Sequence, residues 1–302
     1  MLDLTTLFVK IDDFYQIFQP SYLKHLRDNH LMQRNHRGQL SMSEIMTLIV
    51  LFHASNFRCF KYFYYHAQTH LRQEFPDLVS YSRFVNLMPR ALLPLFAYLV
   101  THGLGKCTGI NFIDSTPIRV CNNKRNSRNR VFKGIAKTGK SSMGWFHGFK
   151  LHLIINECGE LLAFAITPGN VCDLQPVEMM VRQQTLWGTM FGDKGYISKD
   201  LFHKLLQRGM KLVTHLRKNM KGSLMMMRDK ILLRKRSLIE TVNDQLKNVC
   251  QIEHSRHRSP TNFFVNLLAA LVTYTEKEKK PSLKLNVNGA GETSKSIQKI
   301  IC

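Results

Sequence analysis

The chain has no Cys-x-x-Cys pair, and its seven cysteines are scattered and odd in number. That excludes a zinc ribbon or a disulfide scaffold and points to a reducing compartment. His66 and His70 have the spacing of a His-Glu-x-x-His helix, but Ala67 stands where the glutamate belongs. His254 and His257 lie in a basic SRHRS run, where phosphate contact or simple exposure is expected before metal ligation. A Gly-x-Ser-x-Gly elbow is missing, so no serine nucleophile is marked. Long hydrophobic runs are missing too. The best of them, Ile45–Phe52 and Phe263–Tyr274, fall short of the ~20 residues that span a bilayer and read as buried helices. The opening MLDLTTLFVKIDDFYQIF carries acids and no basic n-region, so it does not read as a signal peptide. No basic amphipathic helix or lipidation signal suggests a membrane partner, and no internal repeat is evident. A soluble, cytoplasmic protein is expected.

The scarcest class is acid. Against 43 Lys and Arg stand 21 Asp and Glu, a net charge of +22 over 302 residues. A field of that sign favours a polyanion, and nucleic acid is the commonest large one. The imbalance peaks between Asp114 and Glu157, where no acid occurs and Arg119, Lys124, Arg125, Arg128, Arg130, Lys133, Lys137, Lys140 and Lys150 accumulate. With Asn and Ser between them, they suit contact with phosphates. Trp145 closes this stretch. It is expected to be a half-buried packing residue rather than a platform for a displaced base. Gly134 to Ser141 satisfies the P-loop pattern Gly-x-x-x-x-Gly-Lys-Ser. A true P-loop follows an apolar strand and opens a helix. Here RNRVFK precedes and SMGWFHG follows, so a glycine-permitted basic hairpin against DNA is preferred and no nucleotide cofactor is expected.

In chain order, residues 1–105 read as helical. Leu4, Leu7, Ile11, Phe14, Tyr15 and Phe18 form one stripe that Pro20 should stop. Ser41-x-x-Glu44 is a capping box opening an apolar helix to about Ser55, and Ser82 is the expected cap of a later one. Arg58, Lys61, Tyr62, Tyr64, Tyr65 and His66 interleave charge with aromatics. That suits a helical DNA-binding unit of helix-turn-helix type as well as an ordinary packing domain. Strands follow: INFID (110–114), FKLHLII (149–155) turning through ECGE into LLAFAIT (161–167), TMFGD (189–193) and KLVTHLR (211–217), with a helix around Gln175–Gln184. The class is therefore α/β, a mixed sheet flanked by helices behind an all-helical N-terminal region. Residues 262–274 should close the catalytic unit, 106–275, as a buried helix, and 276–302 read as a polar disordered tail.

Asp114 and Asp193 each close a short apolar run, and strand ends at a sheet rim are where such folds build sites. Residues 231–247 read as one amphipathic helix with Ile231, Leu238, Val242, Leu246 and Val249 on the buried stripe. Arg236, Glu240 and Asp244 share its other face, with Lys247 one turn on and Arg234 and Lys235 just before. Taken alone, that face reads first as an ion-paired surface. With the two aspartates it becomes a third carboxylate. Three such acids can hold two divalent metals roughly 3.5–4 Å apart on a phosphodiester. Hard oxygen donors favour Mg²⁺ or Mn²⁺. Asp173, in a Gly- and Asn-bearing loop, is the nearest competitor.

The order Asp114, Asp193, Glu240 resembles that of the DDE transposases of bacterial insertion sequences. Arg236, Glu240 and Lys247 match their spacing around the glutamate, with Leu233 where a Tyr is usual. DSTPI (114–118), GFKLHL (148–153), GDKGYIS (192–198), LLRKRSLIE (232–240) and EHSRHRSP (253–260) resemble the insertion sequence 982 family in particular. The resemblance implies an RNase H-like catalytic domain and a transposase that cuts element ends and joins their 3′-hydroxyls to target DNA. It implies Asp114 bridging two metals, Asp193 and Glu240 completing one each, and Arg236 and Lys247 holding phosphate oxygens. Lys124, Arg125, Arg128, Arg130, Lys133, Lys137, Lys140, Lys150, Arg234 and Lys235 would contact double-stranded DNA, with a homo-oligomer joining two ends. A nuclease or resolvase that cuts without joining, or an inactive DNA-binding remnant, are the alternatives.

Overall fold

The computed structural model describes residues 3–31, 38–215, 225–253 and 257–283. The N-terminal third is helical: α1 (Leu4–Asp28), α2 (Met42–Ala54), α3 (Phe60–His70), α4 (Tyr81–Leu87) and α5 (Leu92–Tyr98). Leu7, Ile11, Phe14 and Tyr15 are the buried stripe of α1, as the periodicity requires. The helix does not stop at Pro20 but passes through it to Asp28. Pro20 and Gln16, whose carbonyl loses its helical partner, both lie on the exposed face, so water can satisfy it. The Ser41–Glu44 capping box is fully formed, with Glu44 N–H donating to Ser41 Oγ at 3.1 Å and Ser41 N–H to Glu44 Oε2 at 2.6 Å. α4 is capped by Ser80 rather than Ser82: the chain turns helical two residues sooner, and Ser80 Oγ accepts from Arg83 N–H. The run Tyr81–Gly103 is long and apolar enough to cross a membrane by composition. Here it is broken by a 3₁₀ turn at Met88–Ala91 and a π turn at Leu99–Gly103, and it packs against the closing helix, α10 (Pro260–Thr275).

The strands are β1 (Ile110–Cys121), β2 (Lys137–Ser141), β3 (Gly144–Asn156), β4 (Leu161–Pro168), β5 (Gly188–Gly192) and β6 (Met210–Thr214). The last is shorter than the 211–217 expected, and residues 216–217 lie outside the described residues. They form one mixed sheet. One long edge of β3 pairs antiparallel with β1, while β2 and β4 share its other edge end to end. β1–β5 and β5–β6 are parallel. Connections of that kind need crossovers, and α6 (Val177–Gln183) and α7 (Lys199–Leu206) lie in them.

Both faces are covered. Ile113, Ile154, Met190 and Leu212 face α6 and α7. Phe112, Ile118, Leu151 and Leu153 face α10 and α9 (Ser237–Asp244), and through α10 the same core continues into α1, α2 and α5. Thr273 Oγ1 on α10 donates to the Val50 carbonyl of α2 at 2.9 Å inside that core.

Candidate active site

Asp114 does not end its strand, because β1 runs seven residues further, to Cys121. It does lie just past the last parallel pair, Phe112 with Phe191, so its side of β1 opens where β5 stops. Asp193 follows the last residue of β5 directly, and its Oδ1 accepts from Gly195 N–H at 2.8 Å, fixing the carboxylate at the turn. The two aspartates thus stand at one rim although only one closes a strand.

The third acid arrives differently from the single helix expected. α8 (Met227–Arg234) ends at Lys235, and Arg236 sits at the cap position where α9 begins. A π turn, Gln245–Val249, follows. The break re-sorts the stripe: Leu232, Leu233, Leu238, Val242 and Leu246 are buried, whereas Ile231 and Val249 are half exposed. α9 packs on β1, and Asn243 Nδ2 donates to Asp114 Oδ2 at 3.0 Å. Arg236 reaches both acids, with Nη2 2.6 Å from Glu240 Oε1 and Nη1 3.6 Å from Asp114 Oδ1.

Burial pushes the Asp114 carboxyl up to about 6; Arg236 opposes the rise, while the charges of Asp193 and Glu240 add to it. Each of these groups is therefore close enough for its charge to be felt. Tyr196 is buried near them, and burial, then Asp114, Asp173 and Asp193, hold its hydroxyl well above the usual phenol range. Among the described residues no three His, Cys, Asp or Glu side chains are gathered tightly enough to ligate one ion. The donor set nonetheless fits a hard divalent cation: three carboxylates, one of them disfavoured as an anion by burial. Arg236 is the cation that partly offsets this here.

Other expected residues fall elsewhere. Lys247 lies in the π turn and pairs with Glu253 at 3.4 Å. Lys150 is not a spare cation: its side chain is 13 % exposed, and its ammonium is 2.9 Å from Asp173 Oδ1 and donates to the Val171 carbonyl. Asp173 is thereby committed to that pair. Lys124, Arg125, Arg128, Arg130, Lys133, Lys137, Lys140, Arg234 and Lys235 are all exposed. A cleft of about 980 Å³ lined by Arg119, Lys124, Arg125, Arg128, Phe132 and His257 opens against the basic stretch, and none of the three acids lines it.

The P-loop look-alike is a strand. Lys137–Ser141 forms β2, antiparallel to β3, so no helix N-terminus stands ready for phosphate. Gly139 is required because a Cβ there would run into the Gly169 carbonyl where β2 meets the end of β4. Trp145 is not a packing residue: it is 60 % exposed.

Asn243 and Tyr196 escaped the reading of the sequence. Asn243 had a signal, a polar residue beside Val242 on the buried side of α9, one turn beyond Glu240. Tyr196 had none stronger than its nearness to Asp193. Residues 104–260, just over half of the chain, match the family model described as a transposase DDE domain. No curated protein matches the chain.

Proposed function

This chain belongs to the transposase DDE domain family, and from that premise we propose that it cuts DNA at the ends of an insertion sequence and joins the freed 3′-hydroxyls to target DNA. The observation that carries this reading is the meeting of Asp114, Asp193 and Glu240 in one field, with Asp114 raised to about 6 by burial and by the other two charges. Asp114, Asp193 and Glu240 would hold two divalent ions of the Mg²⁺ or Mn²⁺ kind. When bound, these supply an activated oxygen nucleophile and charge stabilisation at the leaving oxygen.

The chain's own residues do the rest. Asn243 orients the Asp114 carboxylate from α9. Arg236, which must release at least one carboxylate when cations arrive, turns its guanidinium to the non-bridging phosphate oxygens and offsets charge that develops there. The exposed cations at 124–140, with Arg234 and Lys235, position the duplex through its phosphates. In this reading the catalytic unit, 106–275, is RNase H-like and of the insertion sequence 982 kind. The helical region 1–105 reads the terminal repeats, the protein acts in the cytoplasm, and two copies join two ends.

The test is incubation with Mg²⁺, labelled duplexes carrying the sequences that flank its reading frame, and a target plasmid. Joined product supports the proposal. Cut but unjoined DNA would make the protein a nuclease or resolvase, and shifted but intact DNA a binding remnant.

A further inference from the structure

Met143 and Trp145 are 83 % and 60 % exposed at the tip of the β2–β3 hairpin. The tip is held firmly: Met143 N–H donates to Ser141 Oγ, and Ser141 Oγ–H to the Gly144 carbonyl. Gly144 supplies the turn with φ +102° and open space around it. Two further bonds moor the hairpin to the basic stretch. Asn123 Nδ2 donates to the Trp145 carbonyl at 2.7 Å, and Asn126 Nδ2 to Thr138 Oγ1 at 2.8 Å. Lys140 lies over the indole, 5.8 Å from its centroid. Lys124, Arg125, Arg128, Arg130, Lys133, Lys137 and Lys140 surround the tip in sequence, and none forms an ion pair among the described residues. A large apolar tip kept in water on a braced hairpin, with Lys140 over its indole and a run of unpaired cations in the stretch that moors it, complements a polyanion with an apolar interior.

We infer that this tip is a wedge that inserts Met143 and Trp145 between base pairs of duplex DNA held on the basic stretch. The inference rests on the transposase reading and adds where the DNA is deformed. Apolar side chains pushed into a base step unstack it and bend the duplex, and the surrounding cations grip the phosphates on either side. Trp145 and Leu153, the residue opposite Asp114, are eight positions apart on β3. Along a strand that is roughly 25 Å, about seven base steps of 3.4 Å. The unstacked step should therefore lie about seven base pairs from the cut.

The chain has two tryptophans, so Trp187→Phe leaves Trp145 as the only indole emitter; the difference between wild type and Trp145→Phe serves if that variant folds poorly. Duplex DNA titrated into the full chain should quench the Trp145 emission by about half or more through base stacking. Trp145→Ala should weaken binding roughly 5- to 100-fold with the slope of log affinity against log salt unchanged, since no phosphate contact is lost. Binding with unchanged Trp145 emission and an equally tight Trp145→Ala variant overturns the wedge and leaves the transposase reading standing. Failure of the wild-type chain to bind any duplex overturns both. Quenching by an acidic polypeptide but not by DNA overturns the wedge in favour of a protein partner.

Discussion

Asp114 is the residue on which the site turns, and its environment makes a signed prediction. Its folded carboxyl sits near 6 against an ordinary 3.8. Between those values the folded state holds more protons than the unfolded one, so metal-free stability attributable to Asp114 falls as pH rises from about 4 to about 6 and stays low above. Asp114→Asn removes that penalty. In EDTA it should be more stable than wild type by on the order of 2 kcal/mol at pH 7 and no more stable near pH 3.5, as urea unfolding at the two values will show. Lower stability of the variant at pH 7 contradicts the account. Arg236→Gln leaves Asp114 and Glu240 without their shared cation. It should raise the acid limb of the pH–rate profile and lower strand joining roughly 100-fold, whereas removal of a mere surface ion pair would leave both unmoved. At this scale much was legible. Acids after apolar runs and an Arg four residues before a Glu are visible in the letters. Asn243 was legible only as a polar residue on the buried side of α9; its partner, Asp114, was not, because that depends on how α9 meets β1.

At the scale of elements the hydrophobic period gave the right face of α1, and two ends were placed too early. α1 continues through Pro20, which was expected to stop it, and β1 continues past Asp114, where the strand was expected to close, and on through Pro117. In each case the backbone has an open side. Pro20 faces water, and β1 has no parallel neighbour beyond Phe112. Tertiary context decided both. Proline inside a helix still costs about 3 kcal/mol relative to alanine. Pro20→Ala is therefore expected to stabilise the protein by about 1–3 kcal/mol, read as a rise in urea midpoint at constant slope; a drop would show that Pro20 shapes the helix. The split of residues 227–249 into α8, α9 and a π turn was hidden for the opposite reason. Apolar residues continue in step across Lys235 and Arg236, so periodicity alone could not reveal the break that presents Arg236 to Asp114.

The whole molecule ties its helical N-terminus to the C-terminal helices through buried polar groups that the sequence did not mark. His53 on α2 bonds the Cys250 carbonyl at 2.8 Å inside the core. Burial holds His53, His152 and His257 down to about 4 each. A histidine depressed from 6.5 to about 4 stays neutral in the fold while the unfolded chain takes up protons. Stability is then complete above pH 6.5 and lost progressively down to 4, by up to about 3 kcal/mol for each. The three outweigh the opposite trend at Asp114, so unfolding free energy should fall steeply from pH 6.5 to 4; a flat profile would mean these rings are charged in the fold. The central claim concerns the three acids acting together on DNA. It is tested most directly by strand joining in Mg²⁺ with Glu240→Gln and Asp193→Asn beside the wild-type chain, on duplexes ending in the sequences that flank its reading frame. The account predicts joined product from wild type and at least a thousandfold less from either variant, with DNA binding retained. Undiminished joining by either variant would contradict it.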